Sequence, residues 1–401
     1  RTVGGTQQEP SDKPAAYYYP IANRPNLHVY TKTVARRITW SKSPHHKNLQ
    51  ANCVQIISAD GTLSHICARL EVILSAGAFI SPLLFEASGI GNPFTLSIHS
   101  LPLAHPLSSV GENLQDPPNT NAAYLSSRNA TGYPPYVTYA TAADLFGTNL
   151  SAVRDHTYAS IPVYAAARSA FSSGAFSSAA QQVLLRQQAD FIFKHNVAVA
   201  EILTPAMDSM LLTAFWDLLP FLRGSVHINT LEDGRPPTPA INPNSFQFEW
   251  DAILQSATVR LARRALQSTP LSGIAATEVS PGEDAVPLNV MTDRQWTKYS
   301  KRSFMPNYHP VERCAMMARE LKGVVNAEAR VYGTGNVRVV DAGILPYQVD
   351  GHPTSTLYGV SERVANLIKA GRGKGRGSGK EIWWEKGRGG WRTGRYFEWR
   401  S

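Results

Sequence analysis

The chain has 401 residues, of which 43% are hydrophobic and 17% charged, and its formal net charge is +9. This composition predicts a folded protein of two or three domains and excludes an extensively disordered one. The longest apolar stretch, residues 70–85, is interrupted by Glu71, Ser75 and Pro82. No segment therefore reaches the roughly 20 apolar residues of a membrane-spanning helix.

The excess positive charge is concentrated in residues 371–401, which carry nine Lys or Arg but three Glu, together with nine glycines and four tryptophans. A basic, aromatic segment of this kind could stack on single-stranded RNA. It has no helical or strand periodicity, however, and begins where the last helical pattern stops. We therefore interpret it as an unstructured extension and do not favour a nucleic-acid partner.

The first elements in chain order are predicted strands. Residues 26–40 are rich in β-branched and aromatic side chains and predict a strand pair or one long bent strand. Residues 48–58 and 62–74 are two further β-rich runs around Asp60-Gly61, which is a strong hairpin signal.

The cysteines predict no metal site, because Cys53, Cys67 and Cys314 lack metal-ligand spacing. Cys53 and Cys67 could face each other across the hairpin, but we expect two unpaired buried thiols. Two glycosylation sequons, at Asn129 and Asn149, weakly favour the secretory pathway. The sequence does not otherwise indicate the cellular compartment.

Residues 73–91, ILSAGAFISPLLFEASGIG, pass from an apolar strand through a turn of small residues into a helical pattern. The N–H groups and dipole at such a crossing favour an anion or a phosphate. Small residues there let a ligand approach the backbone closely.

The middle of the chain gives weaker signals. Residues 117–200 are predicted to be mostly loops, with one helix over residues 179–195. A strand is expected to start at Arg223, and the spacing of apolar residues predicts an amphipathic helix over residues 250–266.

The last predicted elements are a buried strand and a helix. NVRVVDAGILP at residues 336–346 indicates the strand. After a loop, Thr354 or Ser355 can cap a helix with one apolar stripe.

Three side chains are candidates for proton chemistry. His309 and His352 are imidazoles, which are the usual proton acceptors near neutral pH. His352 precedes a helix start, where the positive end of the dipole can stabilise an anion. Glu201 lies in an apolar stretch, where a carboxylate must find a partner or lose its charge. Without further context, a surface residue is the simpler interpretation of each.

Four segments resemble those of one family. SAGAFISPLLFEASGIG, at residues 75–91, resembles the second signature of the glucose–methanol–choline (GMC) flavin oxidoreductases. VGENLQDPP at 110–118 is similar to the family's VGxNLQD, and the last strand with residues 351–369 looks like its C-terminal block. Residues 214–228, AFWDLLPFLRGSVHI, are similar to the fungal glucose-oxidase branch in particular.

The resemblance covers about residues 15–370 and implies a mixed α/β (α+β) fold. We expect an incomplete Rossmann-like FAD-binding domain and a substrate domain that contains an antiparallel β-sheet and helices. The expected divisions are the distal FAD-binding part at 1–116, the substrate domain at 117–330 with the family's C-terminal region beginning near 220, a returning FAD-domain block at 331–370, and the tail at 371–401.

Members of the family begin with a strand, a G-x-G-x-x-G turn and a helix that cradle the FAD pyrophosphate. That glycine pattern does not occur in these 401 residues. We therefore expect Arg1 to correspond to a point roughly a third of the way into a full-length member. We also expect the isolated chain to hold FAD weakly or not at all.

The resemblance implies roles for several residues. His309 matches the catalytic base, His352 the second active-site residue that positions the substrate oxygen, and Glu201 a carboxylate that hydrogen-bonds the second histidine. Trp216 corresponds to an aromatic wall of the substrate pocket. The implied cofactor contacts are Val34 at the adenine, Asp341 and Ala342 at the turn near the flavin, and Thr354 at the helix directed at the pyrimidine edge.

The chain departs from the family near the active site. Glu312 and Arg313 replace a small pair after His309, and they either form an ion pair that points away or shift the pKa of that histidine. Met305 stands where glucose oxidases carry a sugar-binding Arg, although Asn307 is retained. The apolar side chains of Met305 and of Leu203, at another pocket position, favour as substrate an alcohol less polar than glucose, such as a fungal secondary metabolite.

The leading hypothesis is an FAD-dependent alcohol oxidase or dehydrogenase that passes electrons to dioxygen or another acceptor. One alternative is a non-redox cyclase resembling versicolorin B synthase, in which the same histidine pair performs acid–base chemistry. The other is an inactive fragment or a binding protein, which the missing glycine turn would explain. The sequence leaves the oligomeric state open.

Overall fold

The computed structural model describes residues 3–4, 9–10, 14–41, 47–130, 136–172, 174–232, 235–287 and 293–373. The strands in these ranges are β1 (Val3–Gly4), β2 (Glu9–Pro10), β3 (Val34–Trp40), β4 (Ala51–Ile57), β5 (Leu63–Cys67), β6 (Val72–Leu74), β7 (Ile90–Gly91), β8 (His105–Pro106), β9 (Glu112–Leu114), β10 (Pro118–Ala130), β11 (Tyr136–Thr141), β12 (Ala198–Thr204), β13 (Ala206–Asp217), β14 (Gly224–Thr230), β15 (Thr238–Asn242), β16 (Ala275–Ser280), β17 (Met305–Pro306) and β18 (Val337–Val339).

The α-helices in the same ranges are α1 (Gly77–Ala87), α2 (Pro93–Ile98), α3 (Ala142–Phe146), α4 (Leu150–Phe171), α5 (Ser178–Phe193), α6 (Glu249–Leu266), α7 (Asp293–Ser303) and α8 (Thr354–Gly373). Helices α5, α6 and α8 lie where the sequence predicts them. The interpretation of residues 371–401 as an unstructured extension is wrong for residues 371–373, which belong to α8, and its remainder, residues 374–401, lies outside the described residues. None of the described helices is long and apolar enough to cross a membrane.

The largest sheet is antiparallel and has the order β11-β12-β13-β10-β16, with the short β17 also paired to β10. One face, which includes Phe215 and Tyr124, packs on α6 and α7 around Trp296. The prediction of loops over most of residues 117–200 is therefore wrong. Strand β10, PNTNAAYLSSRNA, has weak intrinsic β-propensity, and its pairing with β13 and β16 stabilises it.

A three-stranded antiparallel meander, β3-β4-β5, contains the predicted hairpin. Its register places Cys53 directly opposite Cys67, and the two form a disulfide, so the expectation of unpaired thiols is wrong. Extended pairing in residues 26–40 is confined to Val34–Trp40. The expected strand over 62–74 is two strands, because residues 72–74 leave the meander and pair elsewhere.

Strand β6 pairs in parallel with β18, and α1 follows β6 directly as the predicted strand-to-helix crossing. The adjoining core contains Leu74, Phe85 and Val339, and Val364 of α8 packs into it. Segments far apart in the chain are thereby joined, as the C-terminal block returns to the sheet beside α1. The loop that precedes α8 is thereby placed beside the six-stranded sheet.

Strands β9 and β14 and helix α1 bring together an imidazole and two buried carboxylates. Nδ1 of His227 lies 2.7 Å from Glu86, and its Nε2 lies 3.2 Å from Glu112. Gly111 precedes this cluster at φ +80°, and a Cβ there would lie 2.3 Å from the carbonyl oxygen of Val226. Only glycine fits at this position of the VGENLQD segment.

The cluster predicts a pH dependence of folding stability. Burial alone would lower the pKa of His227, but the hydrogen bonds and charges of Glu112 and Glu86 raise this pKa from 6.5 to about 10. A raised folded-state pKa contributes stability that is complete below pH 6.5 and is lost as the pH rises through about 10. Denaturant unfolding should therefore show a large difference between wild type and His227→Gln near pH 6.5 that shrinks towards pH 10. A difference independent of pH would contradict this assignment.

Candidate active site

The candidate site lies on one face of the six-stranded sheet. Glu201 on β12 and Asn119 on β10 are both register partners of Trp216 on β13. Directly opposed residues share a face, so these three side chains lie side by side. The other face carries Phe215 and Ile202 and is buried against the helices. Glu201 is therefore a buried strand residue of the site face.

His352 lies in the loop that precedes α8, and its Nδ1 lies 2.8 Å from Oε1 of Glu201. The carboxylate is fully buried, whereas half of the His352 side chain is exposed. Trp216 packs edge-on against the imidazole, with ring centroids 5.4 Å apart. These two contacts orient a ring that is otherwise open to solvent.

His309 lies in the loop after β17 and is held through its backbone and its ring. Its N–H donates to Oδ1 of Asp116 at 3.0 Å, and its Nδ1 lies 2.6 Å from Nδ2 of Asn307. Oδ1 of Asn307 accepts a hydrogen bond of 2.8 Å from Nδ2 of Asn119. Two amides in sequence thus connect the imidazole to strand β10.

The two imidazoles meet, with ring centroids 5.3 Å apart and an interplanar angle of 75°. Trp216 also contacts His309, at 6.2 Å between centroids. Burial and the neighbouring His352 lower the pKa of His309, and Glu201 opposes this shift. The lowered pKa favours the uncharged form of His309. Two imidazoles at this separation can accept and donate protons at one small molecule.

Glu312 and Arg313 point away from His309. Glu312 is buried at φ +84°, a region that favours glycine, and its carboxylate lies 3.5 Å from Nε of Arg223. Burial raises the pKa of Glu312 to about 8, although neighbouring guanidinium groups oppose this. Nε of Arg313 donates to the carbonyl oxygen of Ala78 in α1. Both alternatives that the sequence left open are therefore wrong, because Glu312 pairs with Arg223 and not with Arg313, and neither residue contributes to the shifted pKa of His309.

The sheet face beyond the imidazoles is largely apolar. Met305, which is 49% exposed, is the register partner of Asn119 on β10. Leu203 lies opposite Val137, and both belong to the strands that also carry Glu201 and Tyr139. Tyr139 is 49% exposed. A substrate beside the histidines would meet hydrocarbon and aromatic surface here.

Of the four proposed cofactor residues, Thr354 has the geometry of a ligand contact. It is exposed and begins α8, and in the described part of the chain the N–H groups of residues 354–356 have no acceptor. Such donors, beside His352 and at the positive end of a helix dipole, fit the oxygen and nitrogen acceptors of a flavin pyrimidine edge. The residues present therefore fit the flavin end of FAD.

The carboxylate of Asp341 accepts hydrogen bonds from neighbouring residues of the protein. Its Oδ2 accepts from the Ser81 hydroxyl at 2.6 Å and from the Gly77 N–H at 3.1 Å, and its Oδ1 accepts from the Gly343 N–H at 2.8 Å. It thereby fixes the small-residue turn before α1. Ala342 follows in a partly exposed turn, while Val34 is exposed at the start of β3. In the described ranges, no group of three or more His, Cys, Asp or Glu could hold a metal ion.

Sequence reasoning missed three polar residues of the site. Asn119 lies in a segment predicted to be a loop, so its place in a strand register was hidden. Asp116 binds the backbone of His309, and the side chain of Gln348 donates both to the His309 carbonyl and to that of Gln115. Gln348 thus ties the loop of His352 to the loop of His309. Since these contacts depend on tertiary structure, no local sequence pattern predicts them.

The chain is similar to known proteins over most of its length. Two family models described as GMC oxidoreductase match residues 2–119 and 220–361. The glucose oxidase-like protein fsoC of Humicola fuscoatra is 41% identical over 360 residues, covering 89% of this chain and 60% of that protein. A glucose oxidase of Aspergillus carbonarius is 31% identical over 361 residues, covering 90% of this chain and 58% of that protein. The chain thus spans at most 60% of the length of these curated relatives.

Solved structures confirm the mixed α/β fold. An FAD-dependent oxidoreductase from Chaetomium thermophilum superimposes with a TM-score of 0.73 at 23% identity, covering 90% of this chain and 64% of that protein. A fungal aryl-alcohol oxidase gives a TM-score of 0.71 at 22% identity, covering 85% of this chain and 60% of that protein. At these identities the comparison supports the fold alone.

Proposed function

The chain belongs to the GMC oxidoreductase family, and from this premise we propose that the protein oxidises the CH–OH group of an alcohol with FAD as its cofactor. The observation that carries the proposal is the meeting of His309 and His352, whose rings are 5.3 Å apart although the residues belong to separate loops. Each ring is oriented by its own polar partner and both contact Trp216.

FAD supplies a hydride acceptor when bound, and dioxygen or another acceptor then takes the electrons. The residues proposed to hold it are Val34, Asp341, Ala342 and Thr354, with Asp341 acting by fixing the turn before α1. We assign residues 1–116 and 331–370 to the cofactor-binding part and 117–330 to the substrate part.

The protein's own contribution is to bind the alcohol and manage its hydroxyl proton. His309 and His352 can accept that proton and donate a hydrogen bond to the substrate oxygen. Glu201 orients His352 from a buried position, and Trp216 forms one wall. The contacts from Asp116 and Gln348 hold the His309 backbone, so the distance between the rings is set before substrate arrives.

We propose an apolar or aromatic alcohol as the substrate. Met305 and Leu203 supply no charged partner for a sugar hydroxyl, and Asn307 is already engaged by His309 and Asn119. The kcat/KM for a benzylic alcohol should therefore exceed that for glucose by about 10²-fold or more, measured with FAD supplied in excess. Equal values for the two substrates, or a preference for glucose, would contradict this substrate class.

We further propose that the protein passes through the secretory pathway. The Cys53–Cys67 disulfide is typical of an oxidising compartment, and Asn149 of the second sequon is exposed.

A further inference from the structure

A row of three side chains crosses the sheet beside the loop that carries His352. Tyr139 on β11 lies directly opposite Glu201 on β12, which lies directly opposite Trp216 on β13. Directly opposed residues share a face, so the three side chains stand side by side. We propose that Tyr139 is a positioning residue, whose ring supports this loop and thereby sets the place of the His352 imidazole. The proposal rests on the proposed function, because it concerns the same site.

The loop has few polar contacts that could hold it in place. Gln348, at its start, donates a hydrogen bond to the carbonyl oxygen of His309. Residues 349–352 make no backbone–backbone hydrogen bond within the described part of the chain. Nδ1 of His352 lies 2.8 Å from Glu201, but neither oxygen of that carboxylate receives an aligned hydrogen bond from the described residues. The position of the loop therefore depends on packing.

The packing comes from the two aromatic ends of the row. Trp216 contacts the His352 ring edge-on, with centroids 5.4 Å apart. At the other end, Tyr139 reaches Gly351. A Cβ added to Gly351 would lie 3.3 Å from the Tyr139 hydroxyl oxygen and 3.9 Å from two of its ring carbons. Because 3.3 Å is closer than Cβ atoms normally approach, the glycine rests on the ring without space for a side chain.

The charge state of Tyr139 makes its support steric. Burial raises the pKa of its hydroxyl, and the negative charges of Glu201 and Asp350 raise this pKa further. The hydroxyl therefore lies near carboxylates of both the row and the loop, and it stays protonated at neutral pH. A neutral ring adds no charge beside His352, so it acts through the space that it fills.

The support has a consequence for the reaction. Without the Tyr139 ring, Gly351 has open space beside it, and the loop can move towards the sheet. His352 follows Gly351 directly and would move with it. A misplacement of about 1 Å can lower a rate by about 10²-fold, because the reacting groups lose their alignment.

The first test measures the place of the imidazole without any turnover. In protein labelled with ¹³C at histidine Cε1, the resonance that disappears in His352→Gln identifies the ring. Its chemical shift depends on the distance to the Trp216 ring, so Tyr139→Ala should move it. Tyr136→Ala is the matched control, because Tyr136 is 81% exposed and lies on the opposite face of the same strand. It should leave the resonance in place. An unmoved resonance in Tyr139→Ala overturns the proposal.

Kinetics with FAD supplied in excess separate support of the loop from a polar contact with substrate. Tyr139→Ala should lower kcat by about 10- to 10²-fold and change KM less, because misplacement of His352 acts on the chemical step. Tyr139→Phe keeps the ring, so it should show only a small part of this loss. Equal losses in both variants would show that the hydroxyl alone matters, and they would contradict the proposed support.

A pair of substitutions tests the contact itself. The φ of Gly351 lies outside the left-handed region, so alanine is compatible with its backbone. In wild type the added Cβ should displace the loop and lower kcat by about threefold or more. In Tyr139→Phe the nearest atom is gone, so the Cβ should fill its place and the double variant should exceed Gly351→Ala in kcat.

Two results of this pair contradict the contact. One is a wild-type kcat in Gly351→Ala, and the other is a double variant whose loss is the product of the two single losses. A His352 resonance that moves as expected, in a wild-type protein that turns over no alcohol, would contradict the proposed function alone.

Discussion

Replacing His309 or His352 with alanine is expected to lower kcat for the preferred alcohol by about 10²- to 10⁴-fold. Each variant removes both the donor and the acceptor nitrogen of one ring from a site in which the rings are 5.3 Å apart. Steady-state kinetics and rapid mixing of the variants, with FAD supplied in excess, measure the effect. The loss should be mainly in kcat, because proton transfer belongs to the chemical step.

A suitable control is His156→Ala, since His156 lies on the surface of α4 in an exposed contact with Glu249. Its kcat should equal that of wild type. If the alanine variant of either site histidine also retained the wild-type kcat, that imidazole would have no part in the reaction.

The second large effect concerns stability. Arg223 is completely buried, and its guanidinium donates to Gln188 at 2.6 Å and to the carbonyl oxygens of Pro220 and Leu222. Its Nε also lies 3.5 Å from Glu312, in the segment that follows His309. Arg223→Ala leaves these groups buried and unpaired, so the free energy of unfolding should fall by about 3–5 kcal/mol.

Urea denaturation of Arg223→Ala and of Arg235→Ala provides a matched comparison. Arg235 also pairs with a glutamate, Glu232, but its side chain is 74% exposed. Because exposed ion pairs contribute little, Arg235→Ala should change stability by less than about 1 kcal/mol. Similar small losses in both variants would mean that the buried cluster does not stabilise the fold.

Local patterns predicted the elements whose residues carry their own signal. The Asp60-Gly61 turn, the apolar spacing of α6 and the strand-to-helix crossing at α1 are recognisable without tertiary information. Strand β10 was missed, because Asn, Ser and Ala give it little intrinsic preference and its stability comes from β13 and β16. The Cys53–Cys67 disulfide similarly depends on a register that the hairpin signal alone does not specify.

Local sequence patterns predicted less of the candidate site than of the fold. His309 and His352 were selected through the family resemblance, because a loop histidine has no periodic signal. Their separate polar partners, Asn307 and Glu201, can be recognised as partners only in the folded protein, where the sheet brings β10, β12 and β13 together. The direction in which Glu312 points also required the tertiary structure, since it depends on the distant Arg223.

Anaerobic mixing of the protein, with FAD supplied in excess, with an apolar alcohol tests the central claim most directly. We predict that the visible absorbance of the oxidised flavin is lost and that one equivalent of aldehyde or ketone forms per flavin. A flavin that stays oxidised would contradict the claim. If a rearranged or cyclised product forms under those conditions, the histidine pair performs acid–base chemistry without oxidation.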